Sequence, residues 1–143
     1  MVNNAVNIIT VKIFLAFKKY NDTEDAMNEE YSEKQQEIYA DESLSQEEKG
    51  QKFSEFYDEF ITRYEAHHVS TLEANTDNII SILALTNLRG QIEDERMAAY
   101  MASVSPELQN SNYIKVMKQS LDARLNTAEG KPFVDFTVQS AVG

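Results

Sequence analysis

Two histidines stand side by side in this chain of 143 residues, and a glutamate precedes the second by three positions: Glu65-Ala66-His67-His68. A spacing of three puts Glu65 and His68 on one face of a helix, as in the Glu-x-x-His motif with which di-iron carboxylate bundles hold metal. Those bundles use the motif twice and add two further glutamates. With only 2 histidines in the chain, a second copy cannot exist. The plainer reading is that His68 packs at a helix seam and His67 lies near its edge.

Other candidates fail on chemistry. Asn21 to Glu30, NDTEDAMNEE, has the acidity of a calcium loop but lacks the glycine that such a loop needs at its sixth position. Glu29 with Glu33, and Glu55 with Glu59, lie one turn apart, but an exposed helix face does not perturb a carboxyl group as acid–base work requires. No nucleophile elbow, phosphate-cradling glycine loop or His-Glu-x-x-His occurs. The absence of cysteine excludes a disulfide, a thiolate metal site and a cysteine nucleophile within these residues. The expectation is a chain with no catalytic, cofactor-binding or metal-ligating residue, and not an enzyme.

The elements that carry these residues read as helices. Four glycines and 2 prolines are few turn-formers, and 14 Phe and Tyr residues supply core material that disordered chains lack. Ile13, Phe17, Tyr20, Met27, Tyr31 and Ile38, with Glu24 and Lys34 between them, repeat at alternating steps of three and four. That predicts a long first helix over about residues 12–41, with two polar interruptions of its seam. Ser45 and Glu48 have the form of a capping box, opening a second helix to about Ala74. Its seam is Phe53, Phe56, Tyr57, Phe60, Ile61, Tyr64, His68 and Leu72. A short polar link between two such helices implies an antiparallel hairpin.

Beyond it, Ile79 to Leu88 is apolar on nearly every face, so this third helix belongs at the centre. Thr76 or Asp77 is expected to cap it, and Gly90 to close it. A fourth helix over about 92–102, a short turn opened by Ser105-Pro106-Glu107, and a last helix over about 112–128 complete an all-α domain of about five helices, residues 1–129. From Gly130 to Gly143, GKPFVDFTVQSAVG alternates apolar and polar residues as a strand does.

Charge is uneven. Between Asp22 and Glu65 stand 15 acids and 4 bases, which account for the whole net charge of −11. Such a stripe repels phosphate backbones, so nucleic acid is not an expected partner, and a solvated outer helix face is the simplest account. The apolar N-terminal run lacks the order of a secretory signal and is too short and broken to span a bilayer. It reads as the start of the first helix, after a few extended residues.

The tail carries a resemblance. Gly130, Lys131, Pro132, Phe133, Asp135, Phe136, Thr137, Val138 and Gly143 resemble the lead-in to the thioredoxin-like domains of envelope disulfide reductases, the TlpA/ResA-like and peroxiredoxin-like group. The helical hairpin, TDNIISILALTNL, and the run SPELQNSNYIKVMKQSLDARLNTAEGKPFVDFTV look like the helical region that precedes such domains, over about residues 20–143. The resemblance implies a parent thiol–disulfide oxidoreductase of the cell envelope or periplasm, with residues 130–143 as linker and first strand of a redox domain. The Cys-x-x-Cys, the lipobox and a β-rich front portion of that family have no counterpart here, so no catalytic residue carries over. The implied function is a non-catalytic accessory region that positions the redox domain, dimerises it or recognises clients, with that domain as partner.

Two rivals follow from the residues alone. A stand-alone helical scaffold would self-associate through Phe17, Tyr20, Tyr31, Phe53, Phe56 and Phe60. A metal-dependent bundle enzyme would use Glu65 and His68. An unpaired tail strand would seek a partner edge over residues 133–139.

Overall fold

A computed structural model describes residues 2–127 and Gly130, with the backbone alone for 2–4 and 6. Six helices occur in the order α1 (Val2–Ala40), α2 (Gln46–Ala74), α3 (Ile80–Leu88), α4 (Asp94–Ser103), α5 (Pro106–Gln109) and α6 (Asn112–Thr127), with no strand among the described residues. The all-α expectation holds. The tail strand and its edge at residues 133–139 lie outside the described residues.

α1 and α2 form the hairpin that their seams imply. Ser45 caps α2 with both halves of the capping box: its hydroxyl accepts from the Glu48 amide, and Glu48 Oε2 accepts from the Ser45 amide at 2.8 Å. The other side of the bend is closed by Lys49, a buried lysine whose Nζ donates to the Tyr39 carbonyl at 2.9 Å. A cation at that point suits the negative end of α1.

Along the hairpin, rings make a continuous file. Tyr31 of α1 packs on Phe53, Phe56 and Phe60 of α2 with centroids 5.1–6.1 Å apart. Phe60 continues to Tyr64, and Tyr64 meets His68 edge-on at 4.2 Å. Pairs of this kind contribute about 0.5–1.5 kcal/mol each beyond the area they bury. The seam therefore closes within one chain. Of the six rings that a self-associating scaffold would use, Tyr31, Phe53, Phe56 and Phe60 face one another within the chain, Tyr20 is buried against His67 and His68, and Phe17 is exposed. Arg63 fixes the register from outside with a two-pronged contact to Glu30, at 2.6 and 2.9 Å.

α3 is enclosed as its composition requires. Ile80, Ala84, Leu85 and Leu88 have no exposed surface. Leu72 of α2, Met97 and Met101 of α4, Val104, and Ile114, Met117 and Leu121 of α6 form one cluster around it. The helix thus lies between the end of the hairpin and a cover of α4 and α6, rather than inside the hairpin. Neither Thr76 nor Asp77 caps it. Asn78 does that work, its Oδ1 accepting from the Ile80 amide at 3.0 Å, while the Thr76 carbonyl accepts from the Ser105 amide at 2.8 Å and ties the two links together. Gly90 takes a φ of 82°, the left-handed conformation that glycine adopts without strain.

α1 is helical from Val2, ten residues before the expected start, so the residues read as an extended lead are helical where they are described. With 39 residues against 29 in α2, it overhangs the body. At about 1.5 Å per residue, the ten-residue excess is an overhang about 15 Å long, and with the turns that follow it as far as Lys19 it makes the arm of α1.

Leu85→Ala is expected to cost about 2–5 kcal/mol, since it opens a cavity where nothing can collapse cheaply. Tyr57→Ala, at a half-open position on the hairpin, should cost much less. Urea unfolding of both variants checks the contrast; equal losses would mean that α3 is not the centre of the fold.

Candidate functional site

Where the hairpin meets the head, its apolar seam is interrupted by polar groups. Glu24 occupies a seam position of α1 and faces α2, where one turn presents His67 and His68 together. Glu24 Oε1 lies 3.2 Å from His68 Nε2 and 3.5 Å from His67 Nε2. His68 is wholly buried; His67 and Glu24 keep about 14% and 16% of their side chains exposed. All three facing atoms are shut off from solvent, and none makes a hydrogen bond.

The surroundings hold the rings in place. The Tyr20 ring stacks on His67 at 5.3 Å and 19°. Its Oη accepts a hydrogen bond from Asn87 Nδ2 of α3 at 2.5 Å and sits 3.4 Å from His68 Nδ1. The cluster thereby joins α1, α2 and α3 in one polar contact. The arrangement offers lone pairs to something small enough to sit among them, and no open cleft to a larger substrate.

Burial sets the charge states. It drives His68 down to about 4 from an ordinary 6.5, with neighbouring His67 adding to the effect. His67 is lowered by burial and by Lys19, and Glu24 is raised by burial and by Asp25. Tyr20 is pushed up to about 12 by burial, against the opposing Asn87 hydrogen bond. Tyr64 is raised by burial and by Glu24. At neutral pH both imidazoles are therefore uncharged.

Comparison with protein-family models, curated proteins and solved structures found no match.

His68 packs at the seam as the plainer reading has it, and the Glu65 partner that the metal-bundle rival would give it is corrected. Glu65 shares a helix face with it but turns to α4, where it forms an ion pair with Arg96. The carboxylate that meets His68 comes from Glu24 instead. The sequence did carry a signal for this: Glu24 is one of two polar residues on the α1 seam, and folding the hairpin back about its bend brings it to the level of the histidines. The other, Lys34, turns outward to Glu37. Glu29, Glu33, Glu55 and Glu59 are exposed, and most of the acidic stripe is the solvated skin of the hairpin, Glu24 being the inward-facing exception.

A second feature is the arm. Ile8, Ile9, Val11, Phe14, Leu15 and Phe17 are each 42–63% exposed. Together they span nearly the whole circumference of α1, and the only charges among them and just beyond are Lys12, Lys18 and Lys19. No helix among the described residues is long and apolar enough to cross a membrane.

His68 binds its proton in the unfolded chain near 6.5 and in the folded chain only near 4, so its contribution to stability is present above pH 6.5 and lost as the pH falls toward 4. His67 acts in the same direction. So do Glu30, held down by Arg63, and Asp94, held down by Arg124. Glu24 acts in the opposite direction. The urea midpoint is expected to fall on going from neutral pH to the acid side of that window. An imidazole resonance of His68 titrating at its ordinary value would contradict this.

Proposed function

We propose that this chain is a non-catalytic helical interaction module that holds a partner protein through the apolar arm of α1. The observation that supports this reading is the exposure of Ile8, Ile9, Val11, Phe14, Leu15 and Phe17 on a helix that is apolar on nearly all sides. A helix of that composition is stable in water only when something covers it. The hairpin behind it is braced by the aromatic file and by Arg63 with Glu30, so the arm is presented on a rigid support. A cleft at its root, lined by Lys12, Ile13, Ala16, Ala74 and Asn78, marks where a partner could reach the body.

The finer form of the proposal is an accessory region of an envelope thiol–disulfide oxidoreductase, positioning its thioredoxin-like domain, dimerising it or recognising its clients. It is supported by the resemblance of residues 130–143 and the run before them. Reading the coding DNA past Gly143 tests that form: a Trp-Cys-x-x-Cys stretch is expected, and its absence in every frame would leave the stand-alone scaffold.

The arm itself is tested by sedimentation. Without its partner, the chain is expected to self-associate with rising concentration. Replacing Phe14 and Leu15 with Glu should abolish association and leave the unfolding free energy from urea titration within about 0.5 kcal/mol of wild type, because neither side chain supports the body. A wild-type chain that stays monomeric at tens of micromolar would overturn the reading.

A further inference from the structure

The Glu24–His67–His68 cluster is unusual in what it leaves unpaired. A polar atom buried without a hydrogen bond loses its water and gains nothing in return, and here three of them converge. A hydrophobic residue at any of these seam positions would avoid that cost. Something that satisfies all three atoms at once would offset it.

We propose that Glu24 Oε1, His67 Nε2 and His68 Nε2 are the protein ligands of one first-row transition-metal dication, zinc by donor type and geometry. The ligand atoms lie within 4.8 Å of one another. A tetrahedral ion with bonds of about 2.0–2.1 Å sets its ligands about 3.3–3.4 Å apart. The two carboxylate–imidazole separations, 3.2 and 3.5 Å, bracket that value. Two imidazoles and one carboxylate suit zinc, nickel, cobalt or copper(II); magnesium and calcium prefer all-oxygen sites. With three protein ligands, a water would have to complete a four-coordinate site.

The outer contacts fit the same role. A metal-bound histidine commonly donates its other ring N–H to an oxygen, which fixes the ring and its tautomer. Tyr20 Oη stands 3.4 Å from His68 Nδ1 and is itself held by Asn87. With Nδ1–H directed at Tyr20, the Nε2 lone pair of His68 points into the cluster. The competing account is an ordinary hydrogen bond from His68 Nε2–H to Glu24. It leaves His67 Nε2 unanswered, and the atoms do not align for it. A metal here would fasten α1 to α2 at the level where α3 joins them, as a structural clamp. This inference rests on the cluster alone and is independent of the arm.

The test uses the full chain, stripped with a chelator and titrated with Co2+ and then Zn2+. One Co2+ per chain is expected, with the strong visible bands of a four-coordinate ion that Zn2+ then displaces, and Zn2+ should raise the melting temperature. Glu24→Gln keeps the shape of the side chain and should weaken binding by more than about tenfold, as even a lost outer-shell partner does. His67→Gln should do the same, and Tyr20→Phe should weaken binding about tenfold by removing the acceptor of His68. Glu65→Gln should bind as wild type does. Circular dichroism verifies that each variant folds. No uptake by the stripped chain, or uptake that survives Glu24→Gln, would overturn the proposal; the latter would place the ion on the acidic skin of the hairpin.

Discussion

The fold depends on one constraint: α3 is apolar around most of its circumference, with only Thr86, Asn87 and the half-buried Leu83 toward its open side. Ile80, Leu85 and Leu88 cannot be solvated on any side, so the chain must enclose them from all sides. The hairpin alone is too narrow to do so. The last turns of α2 supply one wall, and α4 and α6 supply the rest with methionines, whose flexible side chains fill the uneven space against a short helix. Arg96 with Glu65 then ties α4 to α2 at the exposed edge, and Arg124 with Asp94 ties α6 to α4. Such surface pairs contribute about 0–1 kcal/mol each, so they select the orientation of the cover more than they hold it.

The other half of the molecule obeys a different rule. Away from α3 the hairpin is only two helices thick, and its seam cannot be fully dry. Aromatic rings solve this because they cover much of the gap with few side chains. Where the two regimes meet, the seam switches from rings to polar groups, and Tyr20 belongs to both: its ring stacks on His67 while its hydroxyl binds Asn87 of α3. The level of Glu24 is thus the only place along the hairpin, among the described residues, where three helices share one polar contact.

Much of this was legible in the residues themselves. The steps of three and four in α1, the capping box at Ser45 and the mostly apolar α3 are local patterns, and each appears in the structure where it was expected. What failed was tertiary. Glu65 and His68 share a helix face, and that spacing is silent about the partner helix; α4 claims Glu65 through Arg96. Glu24 looked like a flaw in a zipper until it was set opposite His67 and His68. The cap of α3 was assigned to Thr76 or Asp77 on residue type, yet Asn78 alone stands next to the first free amide. The early start of α1 was missed because Asn3, Asn4 and Asn7 are poor helix formers, while the helix propagates backward from a well-anchored hairpin.

The uneven placement of charge along α1 has a mechanical consequence. The arm carries Lys12, Lys18 and Lys19 and no acid before Asp22, whereas the far end is crowded with carboxylates. At 39 residues, α1 is a rod about 58 Å long with opposite signs toward its two ends. A charged neighbour exerts a torque on such a rod before it exerts a grip. Near an anionic surface the molecule turns its apolar tip inward, and near a cationic one it turns the tip away. The ionic atmosphere of a cell limits this steering to about the last 8 Å of approach. Within that distance, orientation precedes contact.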